Sequence, residues 1–343
     1  MREYTRELCR RIKGFCKDKA ELPVVDTVYF GGGTPTLLPI ECFEEIFKTL
    51  YECFSIEVGA EISVECNPAS IDFEGLCSLR KIGVNRLSIG LQSANENELR
   101  ALGRLHSFED FCSVYADSKR AGFENISVDL MYGIPEQTLK SFENTIEQVC
   151  RLAPSHISAY GLKIEDGTAF AKRRDELVLP DEDEEYEMYC RCVGMLAQNG
   201  YERYEISNFA KDGAYSRHNM RYWQLEDYVG FGVAAHSCFE GVRYGNSRDM
   251  DAFLSGKDIR DEISPISDAE RLREFVMLGL RLGKGIDLAE YRAMAHSDFK
   301  SDFPVCDGLI KNGFLWESEK RIGFTTKGFF VSNAILSQML NFE

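Results

Sequence analysis

The stretch VVDTVYFGGGTP, residues 24–35, decides the fold. A β-rich run, Val24–Phe30, ends in Gly31-Gly32-Gly33-Thr34-Pro35, and a helical pattern follows from about Pro39 to Cys53. The same alternation continues to Leu162, which predicts parallel strands joined by helical crossovers, in either a barrel or an open doubly wound sheet. We expect further strands at Glu61–Cys66, Asn85–Leu91, Asn125–Met131 and His156–Leu162, with helices at Phe73–Ile82, Phe108–Lys119 and Leu139–Leu152.

The segments on either side of this region have different patterns. Apolar residues at helical spacing open the chain and predict a helix there, namely Tyr4, Leu8, Ile12 and Phe15. The acidic run Leu179–Glu185 suits a helix start, because carboxylates are favourable near a helix N-terminus. The final stretch resembles a winged-helix module used for packing: helices Ala269–Leu282, Leu288–Ala295 and Phe303–Asn312, a hairpin Phe314–Thr325, and a helix Lys327–Leu340. We therefore divide the chain into residues 1–178, a connecting region 179–262 and a C-terminal module 263–343.

Composition excludes several classes of function. The chain has 343 residues, 44% of them hydrophobic, with a formal net charge of -16. Such a charge repels phosphate backbones and anionic lipid, so we exclude nucleic-acid and membrane-surface binding. No apolar run is long enough to span a bilayer, and no signal peptide is evident. Twelve scattered cysteines without a CxxC pair indicate free thiols, so we expect a reducing cytoplasm.

Polar residues stand at the ends of successive predicted strands. The triple glycine brings backbone groups close to a ligand or simply turns a tight corner. Glu65, Gln92 and Asp129 end the next strands, and each alone is most simply a buried ion pair or a strand cap. Ligand chemistry in a parallel barrel gathers at these ends. Together they favour a polar ligand carrying amine, ribose and carboxylate groups, with Arg104 as a cation for the carboxylate.

Five motifs, in this order and spacing, carry a resemblance over nearly the whole chain: Gly31–Pro35, Glu65–Pro68, Gly90–Ser93, Leu102–His106 and Asp129–Pro135. They look like the radical S-adenosylmethionine (SAM) family that contains oxygen-independent coproporphyrinogen III dehydrogenase and the HemW heme chaperones. The resemblance implies a TIM-like (β/α)6 barrel, incomplete here, plus the smaller C-terminal region. It also implies SAM contacts for Gly32, Gly33, Thr34, Glu65, Gln92, Arg104 and Asp129.

The family's iron–sulfur motif is not found in this sequence. Members begin with a strand and a CxxxCxxC-type loop whose thiolates hold a [4Fe-4S] cluster, whereas Met1 falls at the helix that should follow. We expect that strand and the metal ligands to be absent from this chain, and we expect no radical chemistry from it as written. Whether it is an enzyme stays open. Cys190 and Cys192 are two apart on a predicted helix, so they do not share a face and are expected to pack.

A second motif separates the branches of the family. His218-Asn219-Met220-Arg221-Tyr222-Trp223 fits HNxxYW and resembles HemW, as does the preceding stretch Tyr204–Ala210. A neutral imidazole is a good axial ligand to heme iron, and aromatic side chains suit a porphyrin face. The alternative is a histidine hydrogen-bonded in a polar loop. The resemblance makes His218 a heme-contacting candidate and His236 a weaker one, while His106, His156 and His296 are expected to be structural or exposed.

The resemblance implies a heme chaperone that binds heme and transfers it to acceptor proteins, respiratory ones among them, as a homodimer with SAM and a [4Fe-4S] cluster. Two alternatives stay open. One is the dehydrogenase that oxidatively decarboxylates coproporphyrinogen III, against which HNxxYW argues. The other is a cluster-free remnant that only binds or docks.

Overall fold

A computed structural model describes residues 1–340. A seven-stranded sheet curls into a half-barrel, with strand order β1-β2-β3-β4-β5-β7-β6. The strands are β1 (Val24–Phe30), β2 (Ser55–Cys66), β3 (Arg86–Gln92), β4 (Asn125–Tyr132), β5 (His156–Gly161), β6 (Glu202–Arg203) and β7 (Asn208–Ala210). β1 to β5 are mutually parallel, whereas β7 runs antiparallel to β5 and β6 to β7. The predicted incomplete α/β barrel is therefore confirmed.

Helices flank this sheet. They are α1 (Arg2–Cys16), α2 (Ile40–Cys53), α3 (Phe73–Ile82), α4 (Glu96–Ala101), α5 (Phe108–Arg120), α6 (Leu139–Leu152), α7 (Ala169–Lys172) and α8 (Glu182–Gln198). Of these, α2, α3, α5, α6 and α8 contribute the apolar side chains that pack against its outer face. The strands bury one row of apolar side chains beneath them: Ile62, Val64, Leu87, Ile89, Leu91, Ile126, Val128, Leu130, Ile157 and Ala159. Because successive side chains of a strand point to opposite faces, the intervening residues point into the curl of the half-barrel.

The inner face of the sheet is polar, unlike the apolar interior typical of a closed barrel. The residues that alternate with the apolar row are Glu61, Ser63, Glu65, Arg86, Ser88, Asn125, Ser127, Asp129, His156, Ser158 and Tyr160. Pairing of the strands aligns them across the sheet; Ser88, for example, stands between Glu65 on β2 and Ser127 on β4. The apolar core of the half-barrel therefore lies between the sheet and the helices, and the inner face is left for ligands.

The remaining elements complete the half-barrel and the C-terminal region. A helix α9 (Arg217–Trp223) lies against β1, and a small antiparallel sheet comprises β8 (His236–Phe239), β9 (Val242–Asn246) and β10 (Arg260–Pro265). The other elements are α10 (Met250–Leu254), α11 (Asp268–Gly279), β11 (Ile286–Asp287), α12 (Leu288–Ala295), α13 (Phe299–Asp302), α14 (Cys306–Lys311), β12 (Leu315–Glu317), β13 (Arg321–Phe324), α15 (Thr326–Phe330) and α16 (Ser332–Leu340). The C-terminal elements bury their own apolar cluster around Tyr291, Phe299 and Phe324. Within residues 1–340, no helix combines the length and apolarity needed to cross a membrane.

Two predicted elements differ most from the structure. β2 begins at Ser55, six residues before the predicted start at Glu61, because Ser55 and Ile56 pair with the beginning of β1 before a bulge that contains Gly59. The predicted helix 327–340 is two helices, since the chain leaves helical geometry at Val331. The predicted divisions of the chain at residues 178/179 and 262/263 stay predictions.

Candidate functional site

The loop after β1 holds the carboxylate of Glu65. The Gly32 N–H donates to Glu65 Oε2 at 3.0 Å, and the Tyr29 hydroxyl donates to Oε1 at 2.8 Å. A Cβ on Gly31 would lie 2.9 Å from Glu65 Oε1 and 2.5 Å from the Tyr29 ring, so only glycine leaves room for this arrangement. The glycine motif thus fixes the orientation of a carboxylate.

The rest of the glycine motif lies at the rim of the half-barrel. Gly33 is exposed, has a φ of +64°, and has open space where a Cβ would stand. Thr34 is half-buried and precedes a short 3-10 turn over Pro35–Leu37. Both are therefore accessible to a ligand bound over Glu65.

Asp129, late on β4, is the second carboxylate at these strand ends. The Ser88 hydroxyl lies 3.0 Å from both of its oxygens, and the Ser127 hydroxyl donates to Oδ1 at 3.3 Å. Burial raises the pKa of Asp129 to about 6 and the charge of Glu65 adds to the rise, while the serine hydroxyls oppose it. The carboxylate is therefore mostly ionised at pH 7 and, being only half-buried, can still accept hydrogen bonds from a ligand.

Arg104 and Gln92 complete this edge. Burial lowers the pKa of Arg104, and the nearby charge of Asp129 opposes that shift. Gln92 is buried at the end of β3 with a φ of +73°, and its side-chain Nε2 lies 2.8 Å from where a Cβ on Gly90 would stand. Positive φ in a residue other than glycine is uncommon and costly, and such residues cluster at functional sites.

The predicted SAM residues therefore gather at one edge of the sheet. This edge offers two carboxylates, a guanidinium and an exposed glycine loop. These groups are suited to a ligand that combines a cationic centre, an amine, ribose hydroxyls and a carboxylate. S-adenosylmethionine has this combination, so the residues present fit it.

Helix α9, which carries the HNxxYW motif, is fastened to the first two strands. The Glu61 carboxylate accepts the N–H groups of Arg217 at 3.2 Å and His218 at 3.0 Å, a favourable position at a helix N-terminus. At the other end, Asp26 on β1 pairs with Arg221, whose Nε lies 2.8 Å from Oδ1. The motif is therefore part of the wall of the half-barrel, not of a distant loop.

His218 lies against Tyr29, the residue whose hydroxyl donates to Glu65. Its Nδ1 lies 2.9 Å from the Thr27 hydroxyl and its Nε2 lies 2.8 Å from the Tyr222 hydroxyl. Its ring stacks on Tyr29, with ring centroids 5.0 Å apart. Burial, reinforced by the charge of Arg221, lowers the pKa of His218 to about 4. The imidazole is therefore neutral at pH 7, as iron ligation requires.

The other histidines have different surroundings. His156 is fully buried and its pKa is lowered far below the ordinary value by burial. His106 is buried too, and its Nε2 lies 3.3 Å from the carbonyl oxygen of Leu91, the residue before Gln92. His236 and His296 are exposed.

Sequence reasoning missed Tyr29, which joins Glu65 to His218, and the serines and tyrosine around Asp129. The serines are Ser88 and Ser127, and the tyrosine is Tyr160 on β5, whose pKa is raised by burial and by the charge of Asp129. The signal was present: polar residues alternate with apolar ones in EISVEC, RLSIG, NISVD and HISAYG. Alternation predicts a polar sheet face that includes these serines and Tyr160 as well as the residues at the strand ends.

The cysteines do not form a cluster site. Within residues 1–340, no three His, Cys, Asp or Glu side chains are placed to hold a metal ion. Cys192 is fully buried on α8, with a pKa raised by burial, and Cys190 is half-buried on the same helix. The residues present therefore do not fit a [4Fe-4S] cluster.

Comparison with known proteins agrees with this geometry. Residues 4–149 match the radical SAM superfamily, and residues 266–331 match the HemN C-terminal domain. The chain is 34% identical to the heme chaperone HemW of Lactococcus lactis over 93% of its length and 86% of that protein, and 33% identical to HemW of Bacillus subtilis over 94% and 87%.

A solved structure shares the fold. Coproporphyrinogen III oxidase (HemN) from Escherichia coli, described as a radical SAM enzyme, superposes with a TM-score of 0.82 at 24% identity. The match covers 98% of this chain and 81% of that one.

Proposed function

This chain belongs to the HemW family of radical SAM proteins, and we propose that it is a heme chaperone that binds heme and transfers it to acceptor proteins in the cytoplasm. The observation that carries the proposal is the position of α9, which places the neutral ring of His218 against Tyr29, whose hydroxyl in turn binds Glu65. Relatives of the same family, aligned over most of their length, are named heme chaperones.

The hydrogen bonds of His218 suit an axial ligand. With Nδ1 protonated and donating to Thr27, Nε2 carries the lone pair and accepts from Tyr222. A second partner that fixes the tautomer in this way is typical of metal-bound histidines. Tyr222 is exposed, so its hydroxyl can turn away and leave Nε2 to the iron of heme.

SAM is proposed as the second ligand, held at the strand ends. Glu65 would take the amine, Asp129 the ribose hydroxyls and Arg104 the carboxylate, with Gly32, Gly33, Thr34 and Gln92 around them. When bound, SAM supplies an activated sulfonium. No step is assigned to a [4Fe-4S] cluster, since the described residues do not fit one.

Hemin titration tests the proposal. The absorption spectrum of the full chain with hemin should show a histidine-ligated Soret band, and His218→Ala should lose it. His236→Ala replaces an exposed histidine and should leave the spectrum unchanged. If the two variants behave alike, His218 is not the heme ligand, and absence of saturable hemin binding in the wild type would end the chaperone proposal.

Tyr222→Phe separates ligation from packing. It removes the hydroxyl that competes for Nε2 and keeps the ring, so hemin affinity should rise by about threefold to tenfold, the value of one net hydrogen bond. If His218 only stabilises the structure and does not bind iron, Tyr222→Phe should leave hemin affinity unchanged or lower it. The second candidate function, decarboxylation of coproporphyrinogen III, is supported by the fold shared with HemN and by the match of residues 266–331 to the HemN C-terminal domain.

A further inference from the structure

A chain of buried hydrogen bonds crosses the inner face of the half-barrel. The Ser127 hydroxyl donates to Asp129 Oδ1 at 3.3 Å, and the Oγ of Ser127 lies 2.8 Å from His156 Nδ1. His156 Nε2 lies 2.8 Å from the Tyr204 hydroxyl, which also accepts the N–H of Ser216 at 3.2 Å. The chain thus joins Asp129 at the proposed nucleotide site to Ser216.

Ser216 is the N-cap of α9. Its hydroxyl accepts the N–H of Asn219, and its own N–H is the donor to Tyr204. Losing an N-cap contact typically destabilises a helix by a measurable amount. The end of the hydrogen-bonded chain is therefore the element that sets the start of the HNxxYW helix.

Only one arrangement of protons satisfies every member. Because Ser127 donates to Asp129, His156 must donate from Nδ1 to Ser127 and accept at Nε2 from Tyr204. The oxygen of Tyr204 is then free to accept from Ser216. Burial keeps His156 neutral by lowering its pKa, as this tautomer requires. All donors point the same way, towards the Asp129 carboxylate, and such chains strengthen cooperatively.

We propose that Tyr204 is a positioning residue that couples the Asp129 side of the nucleotide site to helix α9. Its significance for heme rests on the proposed function, but the coupling itself does not. Removal of the acceptor at Asp129 weakens each bond along the chain and loosens the cap of α9. Ligand contact with Asp129 would reach His218 by the same path.

Stability alone does not account for the chain. Replacing buried polar partners by apolar groups of similar shape is often neutral, so an apolar core would serve equally well for folding. Tyr201 provides a matched comparison within the same segment. It is also buried, and its hydroxyl donates to the carbonyl of Pro154 at 2.8 Å, outside the chain.

Hydrogen–deuterium exchange of the full chain, without ligand, tests the coupling. Tyr204→Phe should speed exchange of residues 216–223 by about fivefold to thirtyfold, which corresponds to the loss of the one hydrogen bond that Tyr204 makes to this segment, at Ser216. Asp129→Ala should speed it by about twofold to fivefold in the wild-type background, through weakening of cooperative bonds, and not in Tyr204→Phe. Tyr201→Phe should leave exchange of residues 216–223 unchanged.

Two results would overturn the proposal: no effect of Asp129→Ala on residues 216–223, or the same effect in the Tyr204→Phe background. If Tyr204→Phe does not fold, Ser127→Ala breaks the chain directly beside Asp129 and must abolish the Asp129 effect. The measurement uses neither heme nor SAM. Failure of hemin to bind would therefore refute the chaperone function and leave the coupling unaffected. Absence of the exchange effect would refute the coupling and leave the chaperone function unaffected.

Discussion

Gly31→Ala should displace Glu65 and weaken SAM binding, although the backbone of Gly31 suits any residue. The new methyl group would lie 2.5 Å from the ring of Tyr29 and 2.9 Å from Glu65 Oε1, well inside the usual contact distance of about 3.5 Å or more. The Tyr29 ring cannot retreat freely, because it stacks on His218 and its hydroxyl is bonded to Glu65.

The size of the effect follows from these contacts. Overpacking of a fixed site costs about 1–3 kcal/mol. If Glu65 moves instead, it gives up the Gly32 N–H, and a hydrogen bond to a charged group is worth about 1.5–3 kcal/mol. Either route predicts a loss of SAM affinity of about tenfold to a hundredfold, since 1.4 kcal/mol is about tenfold.

Isothermal titration with SAM, paired with urea denaturation, measures both consequences. Gly14→Ala is the matched control: it adds the same methyl on helix α1, where nothing lies within 4 Å, and should keep SAM affinity while raising stability by about 0.5–1 kcal/mol. A SAM dissociation constant for Gly31→Ala within twofold of wild type would refute the reasoning. So would unchanged stability, which tests the steric part even without ligand.

Three further predictions concern buried and half-buried polar residues of the half-barrel. Tyr29→Phe removes one donor to Glu65, so SAM affinity should fall by about threefold to tenfold with the fold intact by circular dichroism; an unchanged affinity would mean that Gly32 alone orients Glu65. Asp129 has a pKa raised to about 6 by burial, so its stability contribution is present below its unfolded pKa and is lost as pH rises through 6. The melting temperature of Asp129→Asn should therefore rise relative to that of wild type as the pH increases from 4.5 to 7. Parallel curves of melting temperature against pH for the two proteins would contradict this. Burial likewise raises the pKa of Glu205 to about 7, and Glu205 Oε1 lacks a partner among the described residues. The melting temperature of Glu205→Gln should therefore rise relative to that of wild type as the pH increases to about 8. A difference in melting temperature that falls with pH would exclude an uncompensated buried carboxylate.

The sequence predicts the parts of this fold that depend on neighbours along the chain. Helix Leu139–Leu152 has the predicted limits, because its apolar spacing and its Thr138 cap lie within one short segment. The ends of the strands likewise indicate Glu65, Gln92 and Asp129, because parallel strands bring their carboxyl ends to one edge.

The contacts of α9 could not be predicted in the same way. His218 meets Thr27 across 191 positions, and no local pattern specifies that pairing. Tyr29 is missed for a related reason: within its strand it resembles an ordinary β-forming residue, and its role depends on Glu65 and His218 arriving from elsewhere. The start of β2 was missed because Gly59 interrupts the alternation on which strand prediction depends.

The two faces of the sheet contribute in different ways to the stability of the protein and to its proposed binding of ligands. The outer face alone buries an apolar core, with Val64, Leu87 and Val128 fully enclosed beneath the helices. The inner face contains carboxylates that are partly desolvated and repel one another, so their ionisation opposes folding. The raised pKa of Asp129 indicates this cost. A ligand that is cationic and rich in hydroxyl groups would relieve that opposition, so binding and stability are linked through Asp129 and its hydrogen-bonded chain. The fold can hold this face open because its outer core does not depend on it.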